Sequence, residues 1–185
     1  MGELGRGIEY LIFMIVTSSF IEKAIEKYTS ACKQYIDIDD MCDGLGFEVE
    51  FASLNNHAVG DMQLFPQEGD KDACVIRLQV GTPSKTQRTI KAILLAKFFL
   101  QPEKLESGGY SIDVFELKDI KTTRHSRLVY LATRLALPES VIAQIDTESL
   151  NKPDLKACTF YDESFVMCAV KDHTVAMLVN ESTTT

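Results

Sequence analysis

No basic run occurs anywhere in this sequence, and its 27 acidic residues outnumber 19 lysines and arginines to give a net charge of −8. Nonspecific binding to a phosphate backbone depends on clustered lysine and arginine, so no direct nucleic-acid binding is expected. No C-x-x-C pair is present, and the cysteines are odd in number: Cys32, Cys42, Cys74, Cys158 and Cys168. That usage argues against a disulfide framework or a zinc knuckle and points to buried or free thiols in a reducing compartment. The histidines are few and far apart, at His57, His125 and His173.

Long apolar runs are missing too. Tyr10–Val16 (YLIFMIV) falls far short of the ~20 apolar residues that span a bilayer, so no membrane insertion is expected. Its flank, MGELGRGIE, lacks the basic stretch of a signal peptide, and the expected location is cytoplasmic. The run reads as a leading helix turn packed on its own domain or on a second subunit. A core that is complete from Ile21 onward leaves little spare surface, which predicts a subunit interface in a symmetric homodimer.

What is present is an ordinary globular composition, 45% hydrophobic and 25% charged, over 185 residues. The expected organisation is an apolar N-terminal extension over 1–20, a single domain over 21–179 and a frayed tail over 180–185. No repeat and no interdomain linker is evident.

Ser19-Phe-Ile-Glu22 has capping-box spacing, and apolar residues then recur at helical spacing to about Tyr35. Asp37 can cap a short helix that stops at Gly44 or Gly46. The period then changes to two. Phe47–Leu54, Asp61–Phe65 and Cys74–Val80 read as strands, with a polar turn (QEGDKD) between the last two. Gly81-Thr-Pro-Ser84 can cap a helix over roughly Lys85–Leu100, which Pro102 stops. Beyond the polar stretch ESGGYS, Ile112–Leu117 reads as a short strand. Helices are expected over Arg124–Ala136, Ser140–Ile145, Asp154–Phe160 and Ser164–Val170.

One helix raises a question. From Ala92 to Leu100 every residue is apolar except Lys97, so the helix is to be buried on nearly all sides around one lysine. The order of elements around it resembles the ImmA/IrrE family of zinc metallopeptidases over roughly Ile21–Val179. IDIDDMCDGLGFEVEF is similar to the family's early helix–glycine–strand segment, VGDMQL to its second strand and CVIRLQV to its third. LATRLALPESVI resembles F-A-x-x-L-L-M-P-E, and LKACTFYDESFVMCAV the closing L-A-x-x-F-x-V-S-x-x-x-V pattern. The resemblance implies an α+β, zincin-like fold. An N-terminal helix and a small, three-stranded, mainly antiparallel sheet would pack on a buried pseudo-active-site helix, followed by a helical C-terminal half.

Family members carry R-F-T-x-A-H-E-x-G-H-F-L-L where this chain has Arg88–Leu100. Two histidines four apart hold zinc there, and the glutamate between them activates the bound water. At those positions stand Ile93, Leu94 and Lys97. Isoleucine offers no lone pair, leucine takes no proton and an ammonium repels a dication. A noncatalytic protein with no metal and no cofactor is therefore expected. The third metal ligand would fall near His125 or Arg127.

Lys97, His125 and Arg127 are the candidate cleft residues. The ammonium of Lys97 could replace the metal's charge and pair with an acid, or its stem could cross apolar surface and deliver the head to water. His125, between Arg124 and Arg127's side of a helix start, could accept a carboxylate or phosphate, or simply be a solvated helix N-terminus. His57, in LNNHAVG, reads as a turn residue. The resemblance implies a regulatory or accessory protein of a bacterial mobile element or phage that binds a protein partner, such as a helix-turn-helix regulator. Two alternatives stay open. One is an enzyme of other chemistry that uses His125 with a cysteine or an acid, and the other is a small-molecule-binding protein using the vacated metal cleft.

Overall fold

A computed structural model describes residues 37–55, 57–66, 72–122, 126–137 and 161–169. Helix α1 spans Ile38–Gly44, and the Asp37 carboxylate caps it by accepting the Asp39 N–H at 3.0 Å. Ile38, Met41 and Cys42, at helical spacing, are fully buried, and Gly46 at φ +76° turns the chain into the sheet.

Three strands follow: β1 (Glu48–Ala52), β2 (Ala58–Phe65) and β3 (Ala73–Gln79). A fourth, β4, spans Tyr110–Asp113 and is succeeded directly by a helix over Val114–Thr122. The sheet order is β1-β3-β2-β4. β1 runs parallel to β3, whereas β2 is antiparallel to both β3 and β4. The α+β class and the mainly antiparallel pairing agree with expectation, but the sheet is four-stranded rather than three-stranded.

The extra strand corrects the reading of Ile112–Leu117. Its first two residues close β4 and the rest open a helix, because the Asp113 carboxylate accepts the Glu116 N–H at 2.7 Å. Gly109 explains how β4 reaches the sheet. It sits at φ +80°, and a Cβ there would lie 2.2 Å from the Met62 carbonyl oxygen on β2. β2 also begins earlier than Asp61. Its Gly60 brings the strand against the buried helix, where a Cβ would meet Ile90 Cγ2 at 2.5 Å.

Because β1 and β2 flank β3, the connection between them must cross the end of β3. It is tied there by Val80 N–H to the Ala52 carbonyl (3.1 Å) and Leu54 N–H to the Gln79 side chain (2.7 Å). His57 takes φ +61° in the turn, as its loop context suggested.

Helix α2 spans Ser84–Leu100 and is the centre of the molecule. No side chain caps its start, contrary to the reading of Gly81–Ser84; instead the Gln87 amide reaches back to the Thr82 carbonyl at 2.6 Å. Every residue from Thr89 to Ala96 is buried. One side lies on β2 and β4, and another lies on helix Arg127–Ala136, whose Ser126 caps it through the Val129 N–H at 3.0 Å. Residues 163–169 are helical and contribute Phe165 and Val166 to the same core. Asp162 pins this segment to α2, accepting from Thr86 Oγ1 at 3.1 Å and donating its N–H to Thr89 Oγ1 at 3.3 Å. Burial of each large aliphatic side chain here contributes roughly 1.5–3 kcal/mol.

Among the described residues no helix is long and apolar enough to cross a membrane. The Ser19–Tyr35 helix, Tyr10–Val16, the helices expected over Ser140–Ile145 and Asp154–Phe160, and the tail over 180–185 lie outside the described residues.

Candidate functional site

Ile93 and Lys97 lie one turn apart on α2 and therefore share a face. Ile93 and its neighbour Leu94 are fully buried among apolar side chains. Lys97 comes one turn nearer the helix end, where the packing opens. Its ammonium donates to the Ser111 carbonyl oxygen at 2.8 Å and to the Glu116 carboxylate. The lysine side chain is 18% exposed and the glutamate 37%. The charge of Lys97 thus meets an acid that belongs to this chain.

Glu116 is placed by local sequence. Asp113-Val-Phe-Glu116 opens the helix after β4 (α4 hereafter, Val114–Thr122, following the short helix α3 over Glu103–Glu106), with Asp113 bonding the Glu116 N–H. That D-x-x-E spacing is a capping signature. It was the signal that could have found Glu116, and the reading of Ile112–Leu117 as a strand concealed it.

A pocket of about 440 Å³ lies beside this ion pair. Lys97, Glu116, Ser111, Gln101 and Lys104 are polar residues of its lining. Leu100, Leu128 and Tyr110 supply its apolar surface. The Tyr110 hydroxyl donates to the Gln101 carbonyl, and burial, reinforced by the charge of Glu103, raises its pKa. Ile93 and Leu94 do not line the pocket; the core fills the space around them. Arg127 is exposed and its neighbour Leu128 reaches the pocket instead. His125 lies outside the described residues, so only Lys97 of the three expected cleft residues is placed at the pocket.

The donor set does not suit the zinc that the resemblance implies. Two aliphatic side chains and an ammonium offer no lone pair at the three positions, and Glu116 is already engaged by Lys97. Among the described residues no group of three His, Cys, Asp or Glu side chains could hold a metal ion.

Among the described residues no cysteine lines the pocket. Burial pushes the Cys42 thiol up to about 12, helped by the charge of Asp43, and the Cys74 thiol up to about 11. Only the thiolate attacks, so both are inert near neutral pH. A second lysine that sequence reasoning missed, Lys91, is buried on α2 and pairs with Asp39 on α1, while Arg88 Nε approaches the same carboxylate at 3.7 Å. Burial lowers the Lys91 pKa and the charge of Asp37 opposes that shift. The cluster fastens α1 to α2, and no feature of the helical pattern distinguishes Lys91 from a solvated lysine.

No family model matches this sequence, and no curated protein or solved structure matches it.

Proposed function

We propose that this chain is a noncatalytic binding module on a zincin-like scaffold of the ImmA/IrrE kind, a regulatory or accessory protein of a bacterial mobile element or phage. Its partner in this reading is another protein, such as a helix-turn-helix regulator. The observation that carries the proposal is the fate of the three positions on α2. Two are buried hydrocarbon, and the third is an ammonium whose charge is met by Glu116. Side chains of this kind offer no lone pair for a metal and no carboxylate to activate a water.

Exposed apolar side chains at the start of α4 support a binding role. Phe115, 68% exposed, directly precedes the pocket residue Glu116, and Val114, 50% exposed, precedes Phe115. The Phe115 ring meets His57 edge-on at 6.3 Å, which holds it in place without covering it. The second reading, ligand binding in the cleft, draws on the open volume at Lys97.

Metal analysis of protein purified without a histidine tag, together with a peptidase assay, tests the proposal. Far less than one zinc per chain and no cleavage are expected. A content of about one zinc per chain would overturn it.

A further inference from the structure

We propose that the pocket beside Lys97 binds a carboxylate carried on a short aliphatic group. This deepens the noncatalytic binding reading and rests on it. The first argument is charge. The chain as a whole carries −8, yet the pocket walls hold two ammonium groups, Lys97 and Lys104, against one carboxylate, Glu116. A local cationic excess in an anionic protein favours an anionic ligand. Glu116 in the same lining disfavours a dianion, which leaves a monoanion as the better fit.

The second argument counts donors. An ammonium has three N–H groups, and Lys97 uses two, on Ser111 and Glu116. One remains. Among the described residues no hydrogen bond or ion pair engages the Lys104 ammonium, so this second lysine offers a full set of donors. Glu103 and Glu106 neighbour Lys104 on α3 without lining the pocket, although the charge of Glu103 acts on Tyr110. The Tyr110 hydroxyl is committed as a donor to Gln101 and adds only acceptor capacity.

The third argument is shape. Leu100 and Leu128 line the same pocket, whose 440 Å³ lies in the usual range for small-ligand sites, ~300–1,000 Å³. A ligand with one charged end and one aliphatic end matches a lining that holds both ammonium groups and leucine side chains. The walls are also held before binding: Gly109 is wedged against Met62, and Lys97 is tied to α4 and β4. Little ordering remains for the ligand to impose.

A carboxylate beside an aliphatic side chain is found both on a free small acid and at the end of a protein chain. Titration of the full chain by two-dimensional NMR separates the two, using N-acetyl-leucine, N-acetyl-leucinamide and an acetylated tetrapeptide ending in a leucine carboxylate. Saturable shifts are expected for both acids at pocket residues, with the amide at least about tenfold weaker. Equal affinity for the two acids identifies a small-molecule site, whereas a tenfold or greater preference for the peptide identifies a chain end. Lys104→Glu, on an exposed helix, is expected to keep the fold and its spectrum while weakening both acids by about tenfold or more. The proposal is overturned by an amide that binds as well as the acid, by a Lys104→Glu protein of unchanged affinity, or by no saturation up to ~10 mM. Zinc found in the same sample would remove the noncatalytic reading without altering the titration, so the two failures are distinct.

Discussion

At the scale of the residue, the apolar stretch of α2 contains two solutions to burying a lysine. Lys97 stands at the end of the buried section, where its four-carbon stem can cross the core boundary and its head can reach Glu116. Lys91 stands inside it and depends on Asp39. An ammonium buried without a partner would cost several kcal/mol or lose its proton. Ile93 and Leu94 follow a different logic, since their whole contribution is packing. Replacing either by alanine is expected to cost ~2–5 kcal/mol through lost burial and the residual cavity. Chemical denaturation measures this directly; a loss below ~1 kcal/mol would mean that the side chain is not the core residue its full burial indicates.

At the scale of the element, the junction of β4 and α4 decides where the pocket stands. Gly109→Ala is expected to destabilise by more than ~2 kcal/mol, because the new Cβ would meet backbone at 2.2 Å and the residue sits at φ +80°. Thermal unfolding with the pocket-lining NMR signals followed in parallel would register both the lost stability and a displaced Tyr110. A neutral substitution would contradict the close approach of β4 to β2. This junction is also where the sequence was least legible. α1, β1, β3 and the end of α2 could be read because each has a local signal: the Asp37 cap, alternating apolar residues, Pro102. β4 has four residues and a polar, glycine-rich lead, and its pairing with β2 is a long-range contact that no local period encodes. Gly60 and Gly109 are informative only once the neighbouring element is known. The candidate site was legible to the same degree. Lys97 stood out as a charge in an apolar run, but its partner Glu116 lies across the fold on a helix that had been read as strand. Lys104, Tyr110 and Leu128 join the pocket from separate elements, and no spacing links them.

At the scale of the whole molecule, the buried core also sets the response to pH. Among the described residues, four acidic groups have raised pKa values with burial as the leading cause: Cys42, Cys74, Tyr110 and Tyr161. Each is protonated in the folded chain at a pH where its unfolded counterpart has ionised. Between the unfolded thiol value of 9.0 and the folded values of about 11 and about 12, the native state therefore binds more protons. Stability contributed by these groups is complete below pH 9.0 and declines as pH rises through the folded values. Lys91 works in the opposite sense, because its lowered pKa makes the unfolded state the better proton binder below its ordinary value of 10.5. One lysine against two thiols and two phenols leaves the decline dominant. Rising negative charge on an already anionic chain adds to it. Guanidinium unfolding measured from pH 7 to pH 10.5 in reducing buffer is expected to show a midpoint that holds to about pH 9 and then falls. Cys42→Ala, although destabilised at every pH by its cavity, is expected to show a shallower fall, because one raised group has been removed. A midpoint that stays level or rises above pH 9 would place Lys91, rather than the thiols and phenols, in control of the alkaline limb.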